Sequence, residues 1–115
     1  MMDTKELLIE ARAMIADPIR WYKGGYAAKL ENGEQVPANH KEEYACFCAY
    51  GAVDTAAEKG GGFGAAEDHA MHLLDEAVPI DFKSLRAGGV ITYNDAPDTT
   101  HADILAVFDR AIEAA

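Results

Sequence analysis

The densest group of polar side chains in this 115-residue sequence is Tyr93-Asn94-Asp95 followed by Thr100-His101. Asn and Asp offer hydrogen bonds to a ligand, and a histidine titrates near neutrality. Trp21 and Cys48 are the further residues on which a ligand site there would draw. The competing interpretation is structural: Asn and Asp turn the chain by bonding nearby backbone amides, and Thr100 caps the helix that follows. Of the groups considered, this one has the narrowest margin between chemistry and architecture.

Three other groups are weaker. His69 and His72 stand three residues apart amid Glu67, Asp68, Asp75 and Glu76. Imidazole and carboxylate at helical spacing bind zinc or a di-metal centre when a facing helix completes the set. No completing ligands are evident, so a solvated acidic face is the simpler reading and no metal is expected. Cys46 or Cys48 would need a base such as His101 or His40 to act as a nucleophile; buried packing is the commoner fate of a free cysteine. The glycine-rich stretch 60–64 lacks the Lys-Ser/Thr of a phosphate loop and has no strand before it, which leaves a connector.

These residues are positioned by a helical pattern. Asp3, with Glu6 three residues on, predicts a capped first helix whose stripe is Leu7, Leu8, Ala11, Met14 and Ile15, ended by Pro18. Between Ile19 and Pro37, the aromatics Trp21, Tyr22 and Tyr26 and the Asn32-Gly33 pair predict a small β-hairpin or ordered loop. A second helix is expected from Glu42 to Lys59, apolar nearly all round from Tyr44 to Val53. Its alanines 45, 49, 52 and 56, with Gly51, suit a close helix approach. In such a helix Cys46 and Cys48 would point about 200° apart. A third helix spans Ala65 to Val78, with Ala66, Ala70, Leu73, Leu74 and Ala77 inward and Pro79 at its end. Asp81 to Ala87 predicts a short helical turn and Val90 to Tyr93 an extended run. Thr100 and Asp103 open a last helix that buries Ile104, Leu105, Phe108, Ala111 and Ile112.

Composition narrows the class of function. The chain carries 20 acidic and 10 basic residues, a net charge of −10, with 50% hydrophobic and 26% charged residues. That is ordinary globular composition, and a chain of this size buries roughly two thirds of its unfolded surface. The basic residues form no run, and a net negative charge opposes a phosphate backbone, so direct nucleic-acid or anionic-lipid binding is not expected. No apolar run reaches membrane-spanning length, and the charged N-terminal stretch leading into an amphipathic segment is not expected to act as a secretory signal. Two cysteines one residue apart supply no disulfide framework, which points to reduced thiols in a cytoplasm.

Several blocks resemble a known family. They are Ala11-Arg12 through Asp17-Pro18 and Trp21, then Cys48-Ala49-Tyr50-Gly51-Ala52, then Asn94-Asp95, Thr100-His101, Leu105 and Phe108-Asp109-Arg110-Ala111-Ile112. Together they are similar to a family of small uncharacterised bacterial proteins, found also in actinobacterial and phage genomes, classed as a domain of unknown function. The glycine-rich loop departs from that pattern. The resemblance implies an independent small domain without an established activity. It also draws attention to the Asn94–His101 block, which is polar where the others look like packing.

The sequence thus predicts one mainly α domain over residues 1–115: a compact bundle of about four to five helices with a small β-hairpin or ordered loop after the first. The preferred function is a non-enzymatic cytoplasmic accessory or interaction domain without a cofactor, open to a protein partner or to self-association. The alternative is a small ligand-binding module or enzyme using Tyr93, Asn94, Asp95, Thr100 and His101 with Trp21 and Cys48. A third reading, resting on charge alone, is an acidic mimic of nucleic acid that inhibits a DNA-binding protein.

Overall fold

Asp3 starts the first helix, α1 (Thr4–Met14), by accepting the Glu6 amide on its carboxylate at 2.8 Å. The structure is a computed structural model and describes residues 3–24, 27–28, 46–60, 64–83 and 88–115. The expected stripe is the buried face of α1: Leu7, Leu8, Ala11 and Ile15 are in the core and Met14 packs partly against it. The helix stops a turn before Pro18, and Asp17 is extended, as a residue preceding proline prefers. A 3-10 turn, Pro18–Arg20, follows, with the Asp17 carboxylate accepting the Ile19 amide at 3.2 Å.

The chain then makes a short antiparallel strand pair, β1 (Ala27–Ala28) with β2 (Cys46–Phe47), in which Ala27 faces Phe47 and Ala28 faces Cys46. Trp21 makes an isolated parallel bridge to Phe47, and the Tyr22 amide donates to the Phe47 carbonyl at 2.8 Å. The Asn32-Gly33 turn and Tyr26 lie outside the described residues.

The second helix needs correction. α2 runs Ala49–Lys59 rather than from Glu42: Cys46 and Phe47 are strand residues and Cys48 is the N-cap. An uninterrupted apolar run has no periodicity to separate a buried strand from a buried helix, and here pairing with β1 decides it. The angular argument that set the two thiols on opposite sides of a helix therefore does not apply. Positions 42–45 lie outside the described residues. The small side chains serve as expected: Ala49, Gly51, Ala52, Ala56 and Ala57 are buried with Val53, and α1 packs against this face.

α3 (Ala65–Ala77) buries Ala70 and Leu74, with Ala66, Met71, Leu73 and Ala77 at the edge of the core. Val78 is extended, Pro79 bars continuation, and a second 3-10 turn, Ile80–Phe82, follows.

Val90 to Tyr93, read from sequence as extended, is helical, within α4 (Gly89–Asp95). β-Branched propensity is overridden by a tertiary cap: Asp75 of α3 accepts the Val90 amide at 2.9 Å. Gly89, at φ +59°, allows this approach, since a Cβ there would collide with the Asp75 carboxylate.

α5 (His101–Ala114) begins in a full capping box. The Asp103 amide donates to the Thr100 hydroxyl at 3.2 Å, and the Thr100 amide to the Asp103 carboxylate at 2.9 Å. Ile104, Val107, Phe108 and Ala111 are buried, while Leu105 and Ile112 lie at the edge of the core. Val107 was absent from the expected stripe; it is covered because α5 packs against both α1 and α3, which widens the buried arc. Arg12 and Asp109 join α1 to α5 by a forked ion pair, with Nε at 2.7 Å and Nη2 at 3.3 Å from the two carboxylate oxygens. Both side chains are substantially exposed, so its contribution is at most about 1 kcal/mol.

Among the described residues there are five α-helices, and none is long and apolar enough to cross a membrane. The radius of gyration is 13.0 Å, close to the roughly 13 Å expected of a compact chain this long.

Candidate functional site

Asn94 lies in the last turn of α4 with no exposed surface. Its carboxamide uses its full hydrogen-bonding capacity within the protein. Oδ1 accepts from Trp21 Nε1 at 2.7 Å and from the Ala49 amide at 3.0 Å. Nδ2 donates to the Tyr22 carbonyl and to Asp95 Oδ1, each at 3.0 Å. Two acceptor positions and two donor hydrogens are all that an amide side chain has. One residue thereby ties α4 to the first amide of α2 and to the chain leaving the first 3-10 turn.

The neighbours extend this clasp. The Gly24 amide donates to Asp95 Oδ1 at 2.9 Å. Lys23 Nζ donates to the carbonyls of Pro97, at 3.3 Å, and Thr99, at 2.7 Å, and lies 5.7 Å from the centroid of the Trp21 ring. The Trp21 and His101 rings approach to 5.9 Å at 46°. His101 Nε2 meets the Ile15 carbonyl, at the end of α1, at 2.6 Å. Four consecutive residues, Trp21 to Gly24, thus dock on the segment from Asn94 to His101. The turn at Asn94 and Asp95 is not closed on nearby amides, as local sequence suggested; its partners are Trp21, Tyr22, Gly24 and Ala49.

Of the seven residues singled out from sequence, Trp21, Asn94, Asp95 and His101 come together, and Cys48 lies beside them, close enough to Asp95 to feel its charge. Tyr93 turns elsewhere, its ring edge-on to Phe82 at 4.9 Å and its hydroxyl against Thr99. Burial and the charge of Asp103 push the Tyr93 phenol up, opposed by Arg110. Thr100 is exposed and engaged in its capping box.

Cys48 is also engaged. Its Sγ accepts the Gly51 amide at 3.3 Å, the N-cap position normally taken by a hydroxyl or carboxylate oxygen. Burial pushes its thiol pKa up, only partly offset by backbone donors, so at neutrality it is a protonated thiol and a weak nucleophile. Cys46 and Cys48 are both buried and neither is in a disulfide.

Two arrangements had no sequence signal. Glu67 of α3 sits against Asp54 of α2, and burial together with the hydrogen bond and charge of Asp54 raises its pKa to about 7. Tyr50 is close by, its phenol pushed up by burial, Asp54 and Glu67. Only the packing of α2 on α3 brings these acids together. The other arrangement is a groove of about 480 Å3 bounded by the end of α3, the second 3-10 turn and α5. Leu73, Val78, Pro79 and Ile80 supply its apolar wall, with Glu76, Lys83 and Arg110 as its charged groups.

His69 and His72 are exposed on α3, and His69 Nδ1 pairs with the Thr4 hydroxyl at 3.1 Å. Among the described residues no three His, Cys, Asp or Glu side chains are grouped to hold a metal ion.

Five helices, a short strand pair after the first, and a buried asparagine clasp define a small mainly helical domain. The chain belongs to the family of unknown function DUF6197, whose sequence pattern matches residues 1–114. No curated protein and no solved structure matches it.

Proposed function

We propose that this chain is a non-enzymatic protein-interaction domain, working as a single unit over residues 1–115 in the cytoplasm. The observation that carries the reading is the groove at the end of α3. Its volume, about 480 Å3, falls in the roughly 300–1,000 Å3 range of binding clefts, and Ile80 on its wall is 83% exposed. An isoleucine held out in water beside a concave apolar wall suits a partner larger than a metabolite. The clasp supports the same reading from the other side, since Asn94 and the Cys48 thiol are occupied by the fold. Two buried thiols, neither in a disulfide, are in keeping with a reducing compartment. Selecting peptides from a random display library on the folded chain tests the proposal. Ligands that lose binding on Ile80→Asp, with the thermal melt unchanged, are the expected result; ligands indifferent to Ile80 would contradict it.

A second reading places a small ligand at the clasp, where the exposed Asp95 carboxylate stands near the half-buried Trp21 indole. A metabolite screen by thermal shift decides it: a stabilising compound whose effect disappears in Asp95→Asn would favour this site over the groove.

A further inference from the structure

We propose that the groove between α3, the second 3-10 turn and α5 receives an acidic peptide segment of another protein, which sets an apolar side chain against Leu73, Val78 and Ile80 and a carboxylate at Lys83 and Arg110. This rests on the interaction-domain reading above and adds the chemistry of the partner.

Charge is the argument. The chain has twice as many acidic as basic residues, yet among the described residues this groove is lined by two cations, Lys83 and Arg110, and one carboxylate, Glu76. Neither cation is paired with a carboxylate among the described residues. Arg110 is held in place rather than neutralised: its Nε donates to the Ala77 carbonyl at 3.0 Å, capping the end of α3, whose last turn has no basic residue of its own. A guanidinium used at Nε alone keeps its terminal amino groups for a carboxylate. Lys83 follows the second 3-10 turn on the same groove, and its side chain is exposed. The apolar wall gives the anchor, and the cations on the same groove select the segment that carries it. A second copy of this chain is a poorer occupant, because two bodies of charge −10 repel one another.

The experiment uses the full chain and random twelve-residue peptides displayed on phage, with the selected sequences resynthesised for fluorescence anisotropy. The expected ligands carry Asp or Glu beside Leu, Ile or Phe. Lys83→Glu should weaken them about fivefold, the scale of one exposed charge pair, and Arg110→Gln by a similar factor. Raising the salt should weaken wild-type binding more than that of Lys83→Glu. A peptide with its acids changed to lysine should reverse the preference and bind Lys83→Glu better. Among the described residues the exposed Lys83 side chain makes no hydrogen bond or ion pair that its loss would disturb, so it remains informative should Arg110→Gln lower stability. Peptides that depend on Ile80 but ignore Lys83 and carry no acidic bias would overturn the proposal while the interaction reading stands. Peptides indifferent to both residues would overturn the two together. Sedimentation showing a wild-type dimer that Ile80→Asp dissociates would also overturn it, by making the groove an interface between copies.

Discussion

Trp21 and Asn94, 73 positions apart, are joined by a 2.7 Å hydrogen bond from the indole nitrogen to a carboxamide that is wholly buried. The bond fixes more than a pair. Asn94 also receives the first amide of α2 and donates to the Tyr22 carbonyl, so three stretches of chain meet on one side chain. Because two N–H donors face one end of the amide and two acceptors face the other, a single orientation satisfies all four bonds.

Replacing Asn94 should therefore cost more than a surface turn would. In Asn94→Ala the Trp21 indole, the Ala49 amide and the Tyr22 carbonyl each lose a partner, and a buried polar group left unpaired costs about 1–3 kcal/mol. With water replacing some of these bonds, the expected loss is about 2–4 kcal/mol in a urea titration. Asn94→Asp keeps the acceptors but sets a second carboxylate against Asp95, and should also be destabilised at neutral pH. A change below about 0.5 kcal/mol in Asn94→Ala would remove the clasp from this account.

Cys48 should behave as a cap. Cys48→Ala forfeits the bond to the Gly51 amide and should cost about 1 kcal/mol, whereas Cys48→Ser, which offers a better acceptor, should retain most of the stability. Both thiols should react slowly with a disulfide reagent in the folded chain, since Cys46 is 4% and Cys48 7% exposed. Rapid stoichiometric labelling at neutral pH would argue for an activated cysteine instead.

The Asp54–Glu67 pair predicts a pH dependence with a definite sign. The folded pKa of Glu67, about 7, lies above its ordinary 4.5, so between these values the folded chain holds a proton that the unfolded chain has released. The stabilisation is complete below about pH 4.5 and is lost as pH rises through about 7. Thermal melts should show this contribution falling over that window, and Glu67→Gln should remove it. An identical pH profile for Glu67→Gln and the wild type would refute the shared-proton arrangement.

How far the sequence could be read depends on how local each signal was. The caps at Asp3 and Thr100 and the stripes of α1 and α3 rest on neighbours within a turn, and they stand in the structure where spacing put them. The start of α2 and the state of Val90 to Tyr93 rest on partners far along the chain: β1 extends Cys46 and Phe47, and Asp75 caps α4. No local pattern holds that information. The clasp was half legible. Asn94, Asp95, His101 and Trp21 drew attention by type, but Lys23 and Gly24 carry no mark of their role, since one acts through a flexible ammonium and the other through a backbone amide. Tyr93 was drawn in by adjacency, although neighbours on a helix point about 100° apart, and it faces Phe82 instead. The Lys83–Arg110 groove was invisible for a similar reason, being assembled from the ends of separate elements.

The measurement closest to the central claim is an amide and indole NMR spectrum of the chain, recorded with and without an acidic, apolar-anchored peptide from the selection. The Trp21 indole is the only tryptophan signal, so it reports the clasp alone. The account predicts shifts at Leu73, Val78, Ile80, Lys83 and Arg110 with the Trp21 indole unmoved. A peptide that moves the Trp21 indole and the Asn94 side-chain amide, and leaves the groove unchanged, would contradict it and give the function to the clasp.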